Sequence, residues 1–541
     1  MALVFALCLV FQVYITLNFD ERPVYYRNGP LFFLALAVAS AAVFAAGKLL
    51  RRLNPQRLFA AHAILFAAAG HYQVLHVDAS VRGDAGMIFK YVVPFSEGDY
   101  TGLTEGRYLR WYPYQLGMLT WEMLLGKISL NPRFFFCVNL LLAEGINFLQ
   151  WKLTEHLFPG NRAAANYAIL LSFLFAPQFF FILFLYGQIP GLFFLEAGAL
   201  CALFAAGDPA ERETEQNSAV SRRARAAAGI LSCVLTGISV LLKPNYMIGT
   251  IALAIVCFLR YLRGGQQAKR RAGLHCAALF LCAGLLIVPP VMQQGLYTYY
   301  RSESGIDFGS GAPMSTVIAM GLMESEGTRE DGWYNGFEYD TFEAAGFDEA
   351  AADAVGRAKI RELLSEMAKD PVRAAGFFGR KIVSTWCDPL CGSVWAGPLP
   401  AADQQTYSAV LQNIYRGGRV YELLENWMNI EILVILAGAL LTALSGLFPN
   451  GKREEADPLL LYPALYFLGG FLFHLASETK SQYIYMYLFS LIPLCAGTLG
   501  SISGRASGSD PAHNTRSAGT CAPREAAQTG SAEGNPQGSS E

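Results

Sequence analysis

Long runs almost free of charge recur along this chain, and they decide what it can fold into. Leu31–Leu50, Gly229–Leu242 and Ile432–Leu447 carry almost no ionisable side chain. Several such runs approach the ~20 residues that cross a bilayer as a helix. Of the 541 residues, 53% are hydrophobic and 16% charged, whereas average soluble chains carry about 25% charge. The reading is an all-α polytopic membrane protein, which excludes a soluble enzyme, a fibrous protein and a disordered chain. A net charge of −2 also lacks the basic excess of a nucleic-acid binder, so no nucleic-acid partner is expected.

Hydropathy windows give about twelve spans, beginning near Ala2, Pro30, Leu58, Arg133, Asn166, Ile189, Gly229, Tyr246, Gly273, Ile430, Leu459 and Tyr483. Lys and Arg collect in cytoplasmic loops. The basic stretches Lys48–Arg57, Glu211–Arg225, Arg260–Arg271 and Lys452–Arg453 fall on one side if both termini are inside. Met1–Phe19 lacks the basic start and small-residue cleavage site of a signal peptide, so it reads as the first span.

This frame divides the chain into four parts. Residues 1–290 form a membrane module whose first outer loop is 78–132. Residues 291–429 form a small extracytoplasmic domain, mixed α/β or mostly helical. Residues 430–500 return through the membrane, and 501–541 form a tail rich in Ser, Gly, Ala, Pro and Thr that cannot bury a core. The outer block from Met292 to Asn429 has 19 acidic and 11 basic residues. Its clearest element is an amphipathic helix over Asp348–Lys369, stopped at Asp370-Pro371. Most cysteines fall within spans and read as small apolar residues. Cys387 and Cys391 sit together on the outer side at a spacing that allows a local bridge. No His/Cys cluster has zinc spacing.

Charge is scarce enough that each outward-facing ionisable group is a candidate for function. Val77–Gly86 places Asp78, Arg82 and Asp84 where a helix leaves the membrane. A carboxylate there serves either as helix cap or as general base to a hydroxyl. Leu116–Ile128 is apolar but contains Glu122 and Lys127, as a segment lying along the interface would. Lys243 and Lys480, on two outer turns, run against the positive-inside trend. Each is either a snorkelling side chain or part of one anion site that holds a phosphate. Within the spans, Glu144, Glu196 and His275 would mark a transporter's interior.

The order of these features resembles the GT-C superfamily of integral-membrane glycosyltransferases, in particular bacterial relatives of protein O-mannosyltransferases and of the lipid A aminoarabinose transferase. The segments that carry the likeness are Arg82-Gly83-Asp84 through Tyr112-Pro113-Tyr114-Gln115, Tyr186–Gly191, Lys243-Pro244-Asn245, Gly332–Gly336, Arg380-Lys381-Ile382 with Trp386, and Glu478–Tyr483. The resemblance covers roughly residues 58–500. Many relatives have Arg-Tyr where this chain reads Gln482-Tyr483. The first outer loop has one acid where the protein mannosyltransferases have an Asp-Glu pair.

The resemblance implies a polyprenyl-phosphate-linked sugar as donor and a cell-envelope glycan, lipid or protein as acceptor. Transfer would occur with inversion, on the outer face of a bacterial plasma (inner) membrane. Asp84 takes the place of the general base, with Asp78 as fallback. Lys243 and Lys480 would hold the donor phosphate, and Arg82, Tyr112, Gln115 and Tyr483 would join the substrate contacts. The sugar-phosphate is a substrate rather than a cofactor. A divalent metal is compatible with the family but is not called for by these residues. The rival readings are a transporter or flippase of lipid-linked sugars, and a polysaccharide polymerase or ligase.

Overall fold

In the computed structural model, the described residues are 1–15, 22–206, 219–265, 272–325, 330–400, 407–447 and 458–505. The fold is all-α and polytopic. Among the described residues, ten helices are long and apolar enough to cross a membrane, from Pro30–Leu50 to Tyr485–Ser503. Their faces toward neighbouring helices carry small and aromatic side chains. Others, such as Leu31, Leu34 and Val38, remain exposed on the outside of the bundle, as lipid contact requires.

Two of the twelve expected spans are not full-length helices. The helix expected near Asn166 is Arg162–Leu174, 13 residues long. It breaks at Phe175, ahead of Pro177, and resumes as Ala176–Phe181. Proline cannot donate the backbone bond that would continue the helix. The segment from Ala2 is a nine-residue helix, Ala2–Val10, only about 14 Å long at 1.5 Å per residue. It runs into a strand, Phe11–Ile15, paired antiparallel with Pro23–Arg27 in the register Val13↔Tyr25. The β-branched and aromatic residues of Phe11–Ile15 suit a strand better than a helix.

This hairpin docks on the far segment, with Val13 N–H donating to the Cys387 carbonyl at 2.9 Å. The following helix, Pro30–Leu50, carries the chain to the opposite face, where Arg51 donates to the Ser503 carbonyl.

The 292–429 block is helical among its described residues, and the two-stranded sheet belongs to the N-terminus. The predicted amphipathic helix is Glu349–Lys369, with the Asp348 carboxylate accepting from the N–H groups of Ala350 and Ala351. Asp370 ends it and caps the next helix, Pro371–Trp386, by accepting from Arg373 N–H at 3.0 Å. The block is continuous with the bundle at both ends. Ala272–Ser304 enters it as one 33-residue helix and Arg419–Leu447 leaves it as one of 29. Leu116–Gly126 has 11 residues, too few to cross, and buries Glu122. The last helix, Ile492–Arg505, extends past residue 501, and the tail from 506 lies outside the described residues.

The intramembrane ionisable groups are held separately. Glu144 contacts His62 at 3.4 Å, and Glu196 accepts from the Gln150 amide at 2.5 Å. The His275 side chain lies outside the described residues. Cys387 and Cys391 are free, buried thiols. The Cys387 sulfur faces Cys8 at 3.7 Å instead, because the N-terminal helix occupies that side of it.

Candidate functional site

The turn joining helices Arg223–Leu242 and Pro244–Leu262 presents Lys243, which is buried. The Tyr186–Gly191 segment packs directly on it. Gly187 has φ +85°, and any side chain there would run into the Leu242 carbonyl and Lys243. This close approach needs glycine. Ser239 donates to the Gly191 carbonyl at 2.6 Å and Tyr246 to the Gln188 carbonyl at 2.5 Å, which locks the two turns together. The Lys243 ammonium consequently lies 4.8 Å from the centroid of the Tyr186 ring and 5.5 Å from that of Tyr483, within cation–π range of both.

Gln115 is buried and acts through Tyr186. Its amide donates to the Tyr186 hydroxyl at 2.7 Å, and that hydroxyl is 3.3 Å from the hydroxyl of Tyr108. The rings of Tyr108 and Tyr112 lie 5.0 Å apart, and those of Tyr112 and Tyr114 5.8 Å apart. Through Gln115, the Tyr-Pro-Tyr-Gln segment is joined to the Tyr186 ring that lies against Lys243.

The Ser477–Tyr483 turn closes the other side, gripped by three segments from far away in sequence. Lys381, buried in helix Pro371–Trp386, donates to the carbonyls of Gly321 at 2.5 Å, Leu475 at 3.0 Å and Ser477 at 2.8 Å. Glu478 N–H donates to the Val317 carbonyl and Thr479 N–H to the Gly332 carbonyl. Gly332 has φ +71°, and a Cβ there would lie 2.6 Å from both the Gly321 carbonyl oxygen and the Lys381 side chain. Within the turn, the Tyr483 hydroxyl donates to Glu478 Oε1 at 3.4 Å.

Asp84 lies in the first turn of the short helix Gly83–Phe89, whose N-cap is Arg82, so its carboxylate is not the cap. Its charge acts on Lys243, Glu478, Tyr108, Tyr114, Tyr186 and Tyr483. Asp78 keeps different company, with its N–H donating to the Tyr407 hydroxyl at 3.2 Å. Arg82 turns away as well: its guanidinium donates to the carbonyls of Gly397, at 2.8 Å, and Trp395, which fastens the first loop to the 292–429 block. Of the residues expected at the site, Asp84, Lys243, Lys480, Tyr483, Tyr112 and Gln115 gather at this end of the bundle, and Arg82 serves as a clip beside it.

The site mixes signs in little water. Burial lowers Lys243 to about 8, with Glu478 and Asp84 pulling it back up. Burial also lowers Lys381 to about 7. Glu478 is raised to about 7 by burial, against the pull of Lys480 and Lys381. Glu338, in the first turn of Phe337–Ala344, is raised to about 8 by burial and then by Glu478. The phenols of Tyr108, Tyr114, Tyr186 and Tyr483 are pushed upward, chiefly by burial, so they stay protonated as donors.

Glu338, Glu478 and Lys381 were not singled out from the sequence as site residues. For Glu478 and Lys381 a signal existed, since both fall inside segments that carry the family likeness. Glu338 lies two residues beyond Gly332–Gly336, and nothing local marks it. Among the described residues, no group of three or more His, Cys, Asp or Glu side chains is arranged to hold a metal ion.

No protein-family model matches the chain, and no curated protein does either. Among solved structures, the archaeal oligosaccharyltransferase AglB from Archaeoglobus fulgidus, in complex with an inhibitory peptide and a dolichol-phosphate, aligns over 82% of this chain and 50% of its own at 13% identity. This chain thus spans about half the length of that protein, and the TM-score is 0.38, a likeness too distant to carry an argument.

Proposed function

We propose that this chain transfers a glycosyl group from a polyprenyl-phosphate-linked donor to a hydroxyl of a cell-envelope acceptor, at the outer face of a bacterial plasma membrane. The observation that carries the reading is the convergence of Asp84, Lys243 and the Glu478–Tyr483 turn, drawn from three distant parts of the chain to one end of the bundle. A carboxylate poised near a buried ammonium suits a reaction that takes a proton at one point and releases a phosphate at another. Asp84 accepts the acceptor's hydroxyl proton as its oxygen attacks the anomeric carbon. The bond from that carbon to the phosphate oxygen breaks, and its electron pair leaves on the lipid phosphate. Lys243 and Lys480 face the charge that develops there, and such electrostatic stabilisation is a large catalytic term. Attack opposite the leaving group inverts the anomeric centre.

The test measures sugar transfer and lipid-phosphate binding side by side in membranes. Asp84→Asn should lower transfer by about 10²-fold or more, the scale of general-base catalysis, while leaving polyprenyl phosphate binding intact. Lys243→Ala should weaken that binding. Wild-type transfer by Asp84→Asn would remove the base from the reading, and unchanged lipid-phosphate affinity in Lys243→Ala would remove the anion site.

A further inference from the structure

Away from the Lys243 turn, a second polar spot lies inside the bundle. Glu196 sits on the helix Gln188–Ala206, about 12 Å along its axis from Gln188. It is 2% exposed, and Gln150, on Pro132–Leu157, is 1% exposed. One hydrogen bond joins them, from the Gln150 amide to Glu196 Oε1 at 2.5 Å. The other carboxylate oxygen, Glu196 Oε2, and the Gln150 oxygen, Oε1, are both buried without a hydrogen-bond partner. Among the described residues Glu196 makes no ion pair. Both residues line one cavity together with Tyr462, Ser490 and Pro493, and it has room for about one water-sized guest.

The part of the wall that Ser490 and Pro493 supply is a break in a helix. Tyr485–Phe489 ends at Ser490, and the chain resumes as Ile492–Arg505. Pro493 has no N–H to give the Phe489 carbonyl, which interrupts the backbone ladder. Ser490 Oγ donates to the Met486 carbonyl at 2.7 Å, so its lone pairs remain free to accept. Interrupted helices beside a buried acid are a setting in which membrane proteins hold small cations. The ligand set has the same character. Carboxylate, amide and hydroxyl oxygens suit a hard ion, and the Gln150 nitrogen is already committed to Glu196. One carboxylate matches one positive charge, and room for one water matches a bare ion of sodium's size.

We propose that Glu196, Gln150 and Ser490 bind a monovalent cation of the sodium class inside the bundle. The ion pairs with an acid that would otherwise stand uncompensated among membrane helices, and it joins the three helical segments that carry its ligands. The site is separate from Lys243, and it stands whether or not the chain transfers a sugar.

The experiment follows thermal unfolding of the purified full chain in detergent while sodium chloride replaces N-methylglucamine chloride at constant total salt. A ligand that binds only the folded state raises the midpoint with its concentration, so the wild-type midpoint should climb by about 2 °C or more by about 300 mM sodium. Glu196→Gln, similar in shape but uncharged, should abolish the climb. Ser490→Ala and Gln150→Leu each remove one oxygen ligand and should raise the sodium concentration needed for half the climb by about tenfold. A wild-type midpoint indifferent to sodium overturns the proposal and leaves a protonated acid beside a water. A sodium response that persists in Glu196→Gln overturns it too. If Glu196→Gln does not fold, the other two variants decide, and a wild-type sodium response in both overturns the site.

Discussion

Lys381 donates its ammonium to the Ser477 carbonyl at 2.8 Å, which ties the helix Pro371–Trp386 to the turn that carries Glu478 and Tyr483. Two more carbonyls, Gly321 and Leu475, complete its three donors. Lys381→Met would leave all three acceptors buried without that partner, at roughly 1–3 kcal/mol for an unsatisfied buried group. Thermal unfolding of the purified protein in detergent should show a midpoint lower by several degrees, and lipid-phosphate binding should weaken because the turn is loosened. An unchanged midpoint would mean that the turn is held by its other bonds alone.

Arg82 separates two roles that its position in the first loop leaves open. Its guanidinium is committed to the carbonyls of Trp395 and Gly397. Arg82→Ala should therefore cost about 1–3 kcal/mol of stability and leave donor affinity within about twofold when measured well below the unfolding midpoint. A tenfold loss of donor affinity at unchanged stability would instead put Arg82 on the substrate.

Donor affinity should depend on pH through Lys243. With its pKa at about 8, the ammonium is charged below that value and neutral above it, so the hold on a phosphodiester donor falls as pH rises through 8. A bound phosphate favours the charged lysine, which moves the midpoint upward in the complex. Titrating the dissociation constant of a glycosyl polyprenyl phosphate from pH 6.5 to 10 reads this limb. Lys243→Arg should flatten it, because guanidinium stays charged throughout. A limb that survives in Lys243→Arg belongs to another group.

The thiols make a prediction of a different kind. Cys8 and Cys387 face each other at 3.7 Å between sulfurs, both buried, and Cys391 takes no part in that contact. Peptide mapping after mild oxidation should recover a Cys8–Cys387 cross-link before any Cys387–Cys391 one, since pairing requires sulfurs already close and well aimed. A predominant Cys387–Cys391 link would contradict the docking of the N-terminal helix.

Much of this architecture can be read from the sequence because it is local. A run such as Pro30–Leu50 declares itself by composition, and Asp348 by its place before an amphipathic period. The turns bearing Lys243 and Lys480 stand out because charge is so rare around them. What escapes is settled by distant partners. Ala2–Ile15 is apolar enough for a span, yet it splits into a short helix and a strand because Pro23–Arg27 pairs with it and the Cys387 carbonyl accepts from it. Arg82 and Asp84 look alike in their loop, and only the carbonyls at 395 and 397 tell them apart. Glu338 is buried under the influence of groups far from it in the chain, Glu478 on one side of it in sequence and Tyr108, Tyr112 and Tyr114 on the other.

The grip of three segments on the Ser477–Tyr483 turn bears on how the protein is made. Nine of the ten candidate spans precede that turn in the sequence, so a growing chain has most of its bundle before the turn exists. Until then Lys381 has no Ser477 carbonyl to bind, and Lys243 has no Tyr483 ring beside it. A chain that stops short of Ser477 would keep Asp84 and Lys243 but lack Glu478 and Tyr483 beside them. Completion of the polypeptide is in that sense the step that assembles the site.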